Sequence, residues 1–141
     1  MNQINIIRSV INDIIDKRYD KYKDIIEQEF NAYINPEEDL LIFSSYGRED
    51  GLGGGDLYYS QKDDNGNWTA SKSLGNTINS DKLDFCPFID YANGNFYFSS
   101  TTSEANTSQL ETVDAFKDFA NKSLNGMGNI YRISLKRLPF N

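Results

Sequence analysis

The sequence predicts a mainly β protein: two copies of one antiparallel strand unit, with an amphipathic segment ahead of them and a helical insertion inside the second copy. Three observations predict it. Aromatic residues make up 13 % of the 141 positions and are mixed with many Asn, Asp, Gly and Ser residues. That composition suits short strands joined by tight turns. A stretch near the first third of the chain recurs later in the same order. Two other stretches carry apolar residues at helical spacing. The length fits one domain with a modest core.

Residues 1–28 form an N-terminal segment. Ile7, Val10, Ile11, Ile14, Ile15, Tyr22, Ile25 and Ile26 place one apolar stripe on a helix. A second reading takes the same residues as a degraded earlier copy, since "NIIRS" (5–9) resembles "DLYYS" (56–60). The run of several turns favours the helix.

The repeat occupies residues 29–141. "EFNAYINPEEDLLIFSS" (29–45) answers "DFCPFIDYANGNFYFSS" (84–100), pairing Phe30 with Phe85, Tyr33 with Phe88 and Phe43 with Phe98, each 55 positions apart. Both contain two apolar runs parted by a turn, "NPEED" or "YANGN", which reads as a β-hairpin. A third strand follows in each: Gly55-Asp56-Leu57-Tyr58 matches Gly128-Asn129-Ile130-Tyr131, now 73 positions apart. The second copy therefore carries an insertion, roughly 107–124. Leu110, Val113, Phe116, Ala120 and Leu124 share a helical face there. Ser108 with Glu111 makes a capping box, and Gly126 stands where the helix would stop. The expected element is an amphipathic helix near 108–124, laid over a sheet edge or face.

"YGREDGLGGGDLYYS" (46–60) looks at first like a phosphate-cradling loop. Such a loop joins a strand to a helix, whose free amides meet the anion. Here "LLIFSS" leads into "DLYYS", a second strand, and no Lys-Ser/Thr pair follows. The glycines are expected to supply positive φ and let the backbone pass close to a neighbour.

Charge and composition exclude several functions. A net charge of −7 argues against a nucleic-acid partner. The lone Cys86 and the absence of His exclude thiolate zinc sites, histidine metal sites and His-dependent nucleophilic catalysis. No cofactor is expected. No apolar stretch is long enough to span a bilayer. The start lacks a continuous apolar signal segment, so the chain as written is expected in the cytoplasm.

"LLIFSSYGREDGLGGGDLYYS", "NGNWTASKSLGNTINS" and "DFCPFIDYANGNFYFSS" together resemble the WD-repeat-like β-propeller repeat of TolB-type bacterial proteins. The resemblance covers residues 29–100 and, less fully, 126–136. It implies four-stranded antiparallel blades, here a partial propeller of about two repeats, and a non-catalytic scaffold. It also implies a periplasmic or cell-surface setting if the chain is part of an exported parent. Closed propellers use about four to eight blades. Two cannot close, so bare edges must be covered by the helices or paired in a homo-oligomer.

The candidate surface residues are Arg48, Glu49 and Asp50 in the long turn, with Tyr59 and Trp68. Trp68 also reads as an anchor on its own sheet. "KDDNGNW" (62–68) spaces Asp63, Asn65 and Asn67 like the start of a calcium loop, but its Gly is misplaced and no closing Glu follows. It also approaches, and misses by one residue, the Asp-box turn of sialidase-like propellers. Asp50, Asp56, Asp84 and Asp90 are candidates for a carboxylate pair. The leading expectation is a non-catalytic module that binds a protein or glycan partner. The alternative is a fragment of a carbohydrate-active hydrolase using paired Asp residues. A third reading makes the chain a piece of a larger propeller.

Overall fold

A computed structural model describes residues 30–104 and 112–140. The expected helix in 1–28 and the Ser108–Glu111 capping box lie outside the described residues. Strands β1 (Phe30–Ile34), β2 (Leu40–Ser45), β3 (Asp56–Gln61) and β4 (Lys72–Ser73) form a four-stranded antiparallel sheet in that order. Strands β5 (Asp84–Asp90), β6 (Asn95–Ser100) and β7 (Asn129–Ser134) form a second, three-stranded sheet. Helix α1 (Val113–Ala120) lies between β6 and β7, and a single 3-10 turn, Leu135–Arg137, follows β7. The protein is mainly β, and neither sheet closes into a barrel.

The two copies share one backbone geometry. β1 pairs β2 through Phe30↔Ser44, Tyr33↔Ile42 and Ile34↔Leu41, with the register shifting between Phe30 and Tyr33. β5 pairs β6 through Phe85↔Ser99, Phe88↔Tyr97 and Ile89↔Phe96, with the shift between Phe85 and Phe88. Every partner is the other copy's residue moved by 55. The bulges agree in detail: Asn31 and Cys86, both non-glycine, hold φ of 54° and 52°. A left-handed backbone at matching positions reflects the same bulge bending each strand. The turns between these strands also work alike. Asn35 Oδ1 accepts from the amides of Asp39 and Leu40, and Asp90 Oδ1 accepts from Asn93.

Each sheet has two faces, here called front and back. The front carries Leu41, Phe43 and Tyr58 in the first sheet, and their counterparts Phe96, Phe98 and Tyr131 in the second. The back carries Leu40, Ile42, Leu57 and Tyr59 in the first sheet and Asn95, Tyr97, Ile130 and Arg132 in the second. The sheets stack front to back. Phe96, Phe98 and Ile89 share one core with Leu40, Ile42, Leu57 and Tyr59, joined by Leu74, Ile78 and Leu138. Each Å² of apolar area buried in that shared core contributes about 25 cal/mol. Leu41, Phe43 and Tyr58 form a second buried cluster with Ala32, Ile34 and Trp68 against it. β2, buried on both faces, is the centre of the molecule.

The glycine stretch connects antiparallel neighbours, β2 and β3, and its value is close approach. A Cβ on Gly53 would lie 2.5 Å from backbone atoms of Ser80, Asp81 and Lys82. The Gly54 amide donates to the Lys82 carbonyl at 2.9 Å, and the Asp84 amide donates to the Gly55 carbonyl at 2.8 Å. These bonds stitch the start of the second sheet to the first. The expected positive φ is not found at Gly51 to Gly55; within 46–60 it occurs at Gly47. Close passage alone requires glycine here.

Helix α1 is shorter than expected. Thr112 caps it, its Oγ1 accepting from the Ala115 amide at 3.1 Å. The helix ends at Ala120, and Leu124, at φ 60°, falls outside it. No residue of the helix is buried, and Val113 and Phe116 are exposed. The expected cover of a sheet by this stripe is therefore not made. Two turns of helix are too short to bring Leu124 onto the stripe with Val113 and Phe116.

Candidate functional site

The long turn after β2 is a clamp. Arg48 Nε donates to Ser45 Oγ at 2.8 Å and Nη1 donates to Ser71 Oγ at 2.7 Å. Its guanidinium lies over the Tyr58 ring at 4.4 Å and the Phe43 ring at 5.4 Å from their centroids. Cation–π stacking of this kind holds the side chain against the front face. Asp50 accepts from the Tyr58 hydroxyl at 2.9 Å. Burial, this bond and the Asp50 charge push the Tyr58 phenol far up, opposed by Arg48. Glu49 is exposed beside them. Arg48 and Asp50 therefore seal the end of the front cluster, with their functional groups already taken up.

Tyr59 is not a surface residue. It is 7 % exposed, its ring lies 4.9 Å from that of Phe140, and it belongs to the core between the sheets. The period of two pointed it away from Tyr58, and the second sheet covers that side. Trp68 is half-buried at the rim of the front cluster, with Lys62 Nζ 5.3 Å from its centroid. It acts as an anchor. Asp63 Oδ1 accepts from the Asn65 and Asn67 amides at 2.9 and 2.8 Å, so this turn spends its carboxylate on its own backbone.

Asp56 and Asp84 do come together. They follow the parallel bridge Gly55↔Leu83, where the first sheet meets the second. Asp56 Oδ2 accepts from the Leu52 and Gly53 amides at 3.0 and 3.2 Å. Asp84 Oδ2 accepts from the Ser80 amide at 2.6 Å and from its hydroxyl at 2.9 Å. The remaining oxygen of each has no hydrogen-bond partner in the protein. Burial pushes the Asp56 carboxyl up, the Gly53 and Leu52 amides pull it down, and the Asp84 and Asp50 charges add to the rise. Both carboxylates are almost wholly buried, so a glycosidic bond cannot reach them. The pair is a seam between sheets. Asp90 stands apart, bonded to Asn93 at a hairpin turn.

What the fold leaves open is the back face of the second sheet. Ile130 is 79 % exposed, Phe88 54 %, and Met127 beside β7 78 %. Phe88 and Tyr97 are cross-strand partners with ring centroids 6.5 Å apart, and Tyr97 pairs in turn with Arg132. Tyr33 meets Phe88 edge-on at 5.9 Å, linking this face to the first sheet. The equivalent face of the first sheet is buried under the second. Phe88, Ile130 and Arg132 were not among the surface candidates read from the sequence. One signal was available: where the first copy has Leu40 and Tyr59, the second has Asn95 and Arg132. That polar drift marks a face not committed to a core.

No family model matches the chain, and neither a curated protein nor a solved structure matches it. The class that the fold defines is a mainly β protein of two stacked antiparallel sheets built from one repeated unit. Among the described residues no helix is long and apolar enough to cross a membrane.

Proposed function

We propose that this chain is a non-catalytic binding module of propeller-type repeats, two blades of a partial propeller, and that its partner is a protein. One observation carries the reading: the second sheet exposes Phe88 and Ile130 on the face whose counterpart is buried in the first sheet, with exposed Met127 just ahead of β7. Exposed apolar side chains sharing one face with polar ones characterise association surfaces. Here Asn95, Ser99, Arg132 and Ser134 share the face. Aliphatic Ile130 shares the face with the aromatic pair Phe88 and Tyr97, and such a mixed aliphatic and aromatic patch favours a protein partner. The front-to-back stacking of two units with one register is how blades pack, and it supports the propeller reading alongside the resemblance.

Site-specific photo-cross-linking in the producing cell tests this. A photoreactive residue at position 130 is expected to capture a protein, and one at position 64, in the exposed hairpin turn, is not. Equal yields at the two positions would remove the proposal.

A further inference from the structure

We infer that the partner of the open back face is a second copy of this chain, in a two-fold dimer that joins the second sheets back to back. The inference rests on the binding reading above and names its partner.

Three observations carry it. The first is which faces are available. Inside the molecule a back face is covered by a front face, so copies could in principle add front to back without limit. Both front faces are already taken: Leu41, Phe43 and Tyr58 are at most 1 % exposed, and Phe96 and Phe98 at most 5 %. Among the described residues, the sheet face a second copy can offer is the same open back face. A contact between identical patches is isologous and closes at two.

The second observation is charge. The chain carries −7, so two copies repel over most of their surfaces. The charged residues on the strands of the open face are Asp90 and Arg132, one of each sign. Two copies meeting there bring no net charge together. Asp90 is moreover bonded by the Asn93 amide and side chain, so its carboxylate is partly satisfied before association.

The third is continuity with the interface the fold already makes. Phe88 packs its edge against Tyr33 of the first sheet while leaving half its surface to solvent. A covering sheet would extend the intersheet core through Phe88, Tyr97 and Ile130. Both backs are pleated antiparallel surfaces of the kind that stack about 10 Å apart. The patch is small, and the polar Asn95, Arg132 and Ser134 interrupt it, so affinity falls in the micromolar range, with Kd roughly 1–100 μM.

The test is the native mass of the whole chain by sedimentation equilibrium across a dilution series. The wild type is expected to have the mass of two chains near about 1 mM and of one chain well below Kd. Ile130→Glu places two buried charges at the interface and is expected to be monomeric throughout, with an unchanged melting curve because Ile130 is exposed in the single chain. Ile130→Ala is expected to weaken the dimer about tenfold. A wild type that keeps the mass of one chain at all concentrations overturns the inference, as does an Ile130→Glu variant that dimerises as well as wild type. If the wild type is monomeric while position 130 still captures a different protein, this inference fails and the binding reading survives. If position 130 captures nothing, both fail.

Discussion

Asp56 shows how a single side chain stores a cost at the join between the sheets. One carboxylate oxygen takes two amides, while the other is buried without a protein partner beside Asp84. In the second copy the equivalent position is Asn129. Asp56→Asn keeps an acceptor for Leu52 and Gly53 and removes a charge from the buried site. Its neutral amide no longer repels the Asp84 and Asp50 charges. The expected gain at neutral pH is about 1 kcal/mol, the scale of one pKa unit. Because burial raises the Asp56 pKa, the folded chain holds that proton more tightly than the unfolded one. Stability from this group is therefore present below the ordinary carboxylate pKa and lost as pH rises through the folded value. The advantage of Asp56→Asn should shrink as denaturation is measured toward acid. An equal gain at all pH values would contradict the assignment. At the other end of the scale, Tyr58 is raised by burial and by its bond to Asp50, and Tyr33 is pushed up to about 12, chiefly by burial. Stability should thus be full below about 10, the unfolded phenol value, and fall as pH climbs through the folded values. Tyr58→Phe should cost about 1 kcal/mol at neutral pH and flatten that alkaline loss. Urea midpoints against pH measure both effects.

At the scale of the element, the Gly-rich connection matters for what it touches. It carries the chain from β2 to β3 and simultaneously passes against the segment leading into β5. Gly53→Ala would drive a Cβ into three backbone groups that cannot rotate away. The expected loss is at least about 2 kcal/mol, as for other overpacked sites. Gly66, in the 62–68 turn, provides the contrast: its φ is 75° but a Cβ there meets open space. Gly66→Ala should cost only about 1 kcal/mol of backbone strain. Equal costs in thermal melts would mean that conformation, not crowding, selects both glycines. Helix α1 makes a related point. Its cap is Thr112, whose Oγ1 accepts from the Ala115 amide, while the expected capping box, Ser108 with Glu111, lies outside the described residues. The Ser103↔Asn125 bridge and the Glu104 amide bond to the Leu124 carbonyl close the base of the insertion.

At the scale of the whole molecule, the organising fact is stacking polarity. The second sheet lays its front on the first sheet's back, so one apolar face is consumed at the join and one is left at the far side. Among the described residues, this polarity leaves an internal repeat with one exposed sheet face. It is also why the proposed dimer uses a face, whereas the expectation for two unclosed units was pairing at sheet edges. Both the cross-linking at position 130 and the mass of the wild type belong to this scale.

Much of this was legible in the residues alone. Strand pairs, turns and the third strand of each unit follow from local pattern, whereas the bulge shared by Phe30–Tyr33 and Phe85–Phe88 emerged only in the structure. Repeated side chains at repeated spacing impose the same pairing wherever they occur, and turn residues such as Asn35, Asp63 and Asp90 act on their own neighbours. Burial of one repeated face and exposure of its twin left only the polar drift at Asn95 and Arg132 as a local sign, because the strand pattern is otherwise shared by both copies. Tyr59 and Arg132 occupy equivalent places, yet Tyr59 is in the core and Arg132 faces solvent, since only Tyr59 has a sheet laid over it. Which face a sheet buries is decided by contacts between residues tens of positions apart, and those exist only once the chain has stacked.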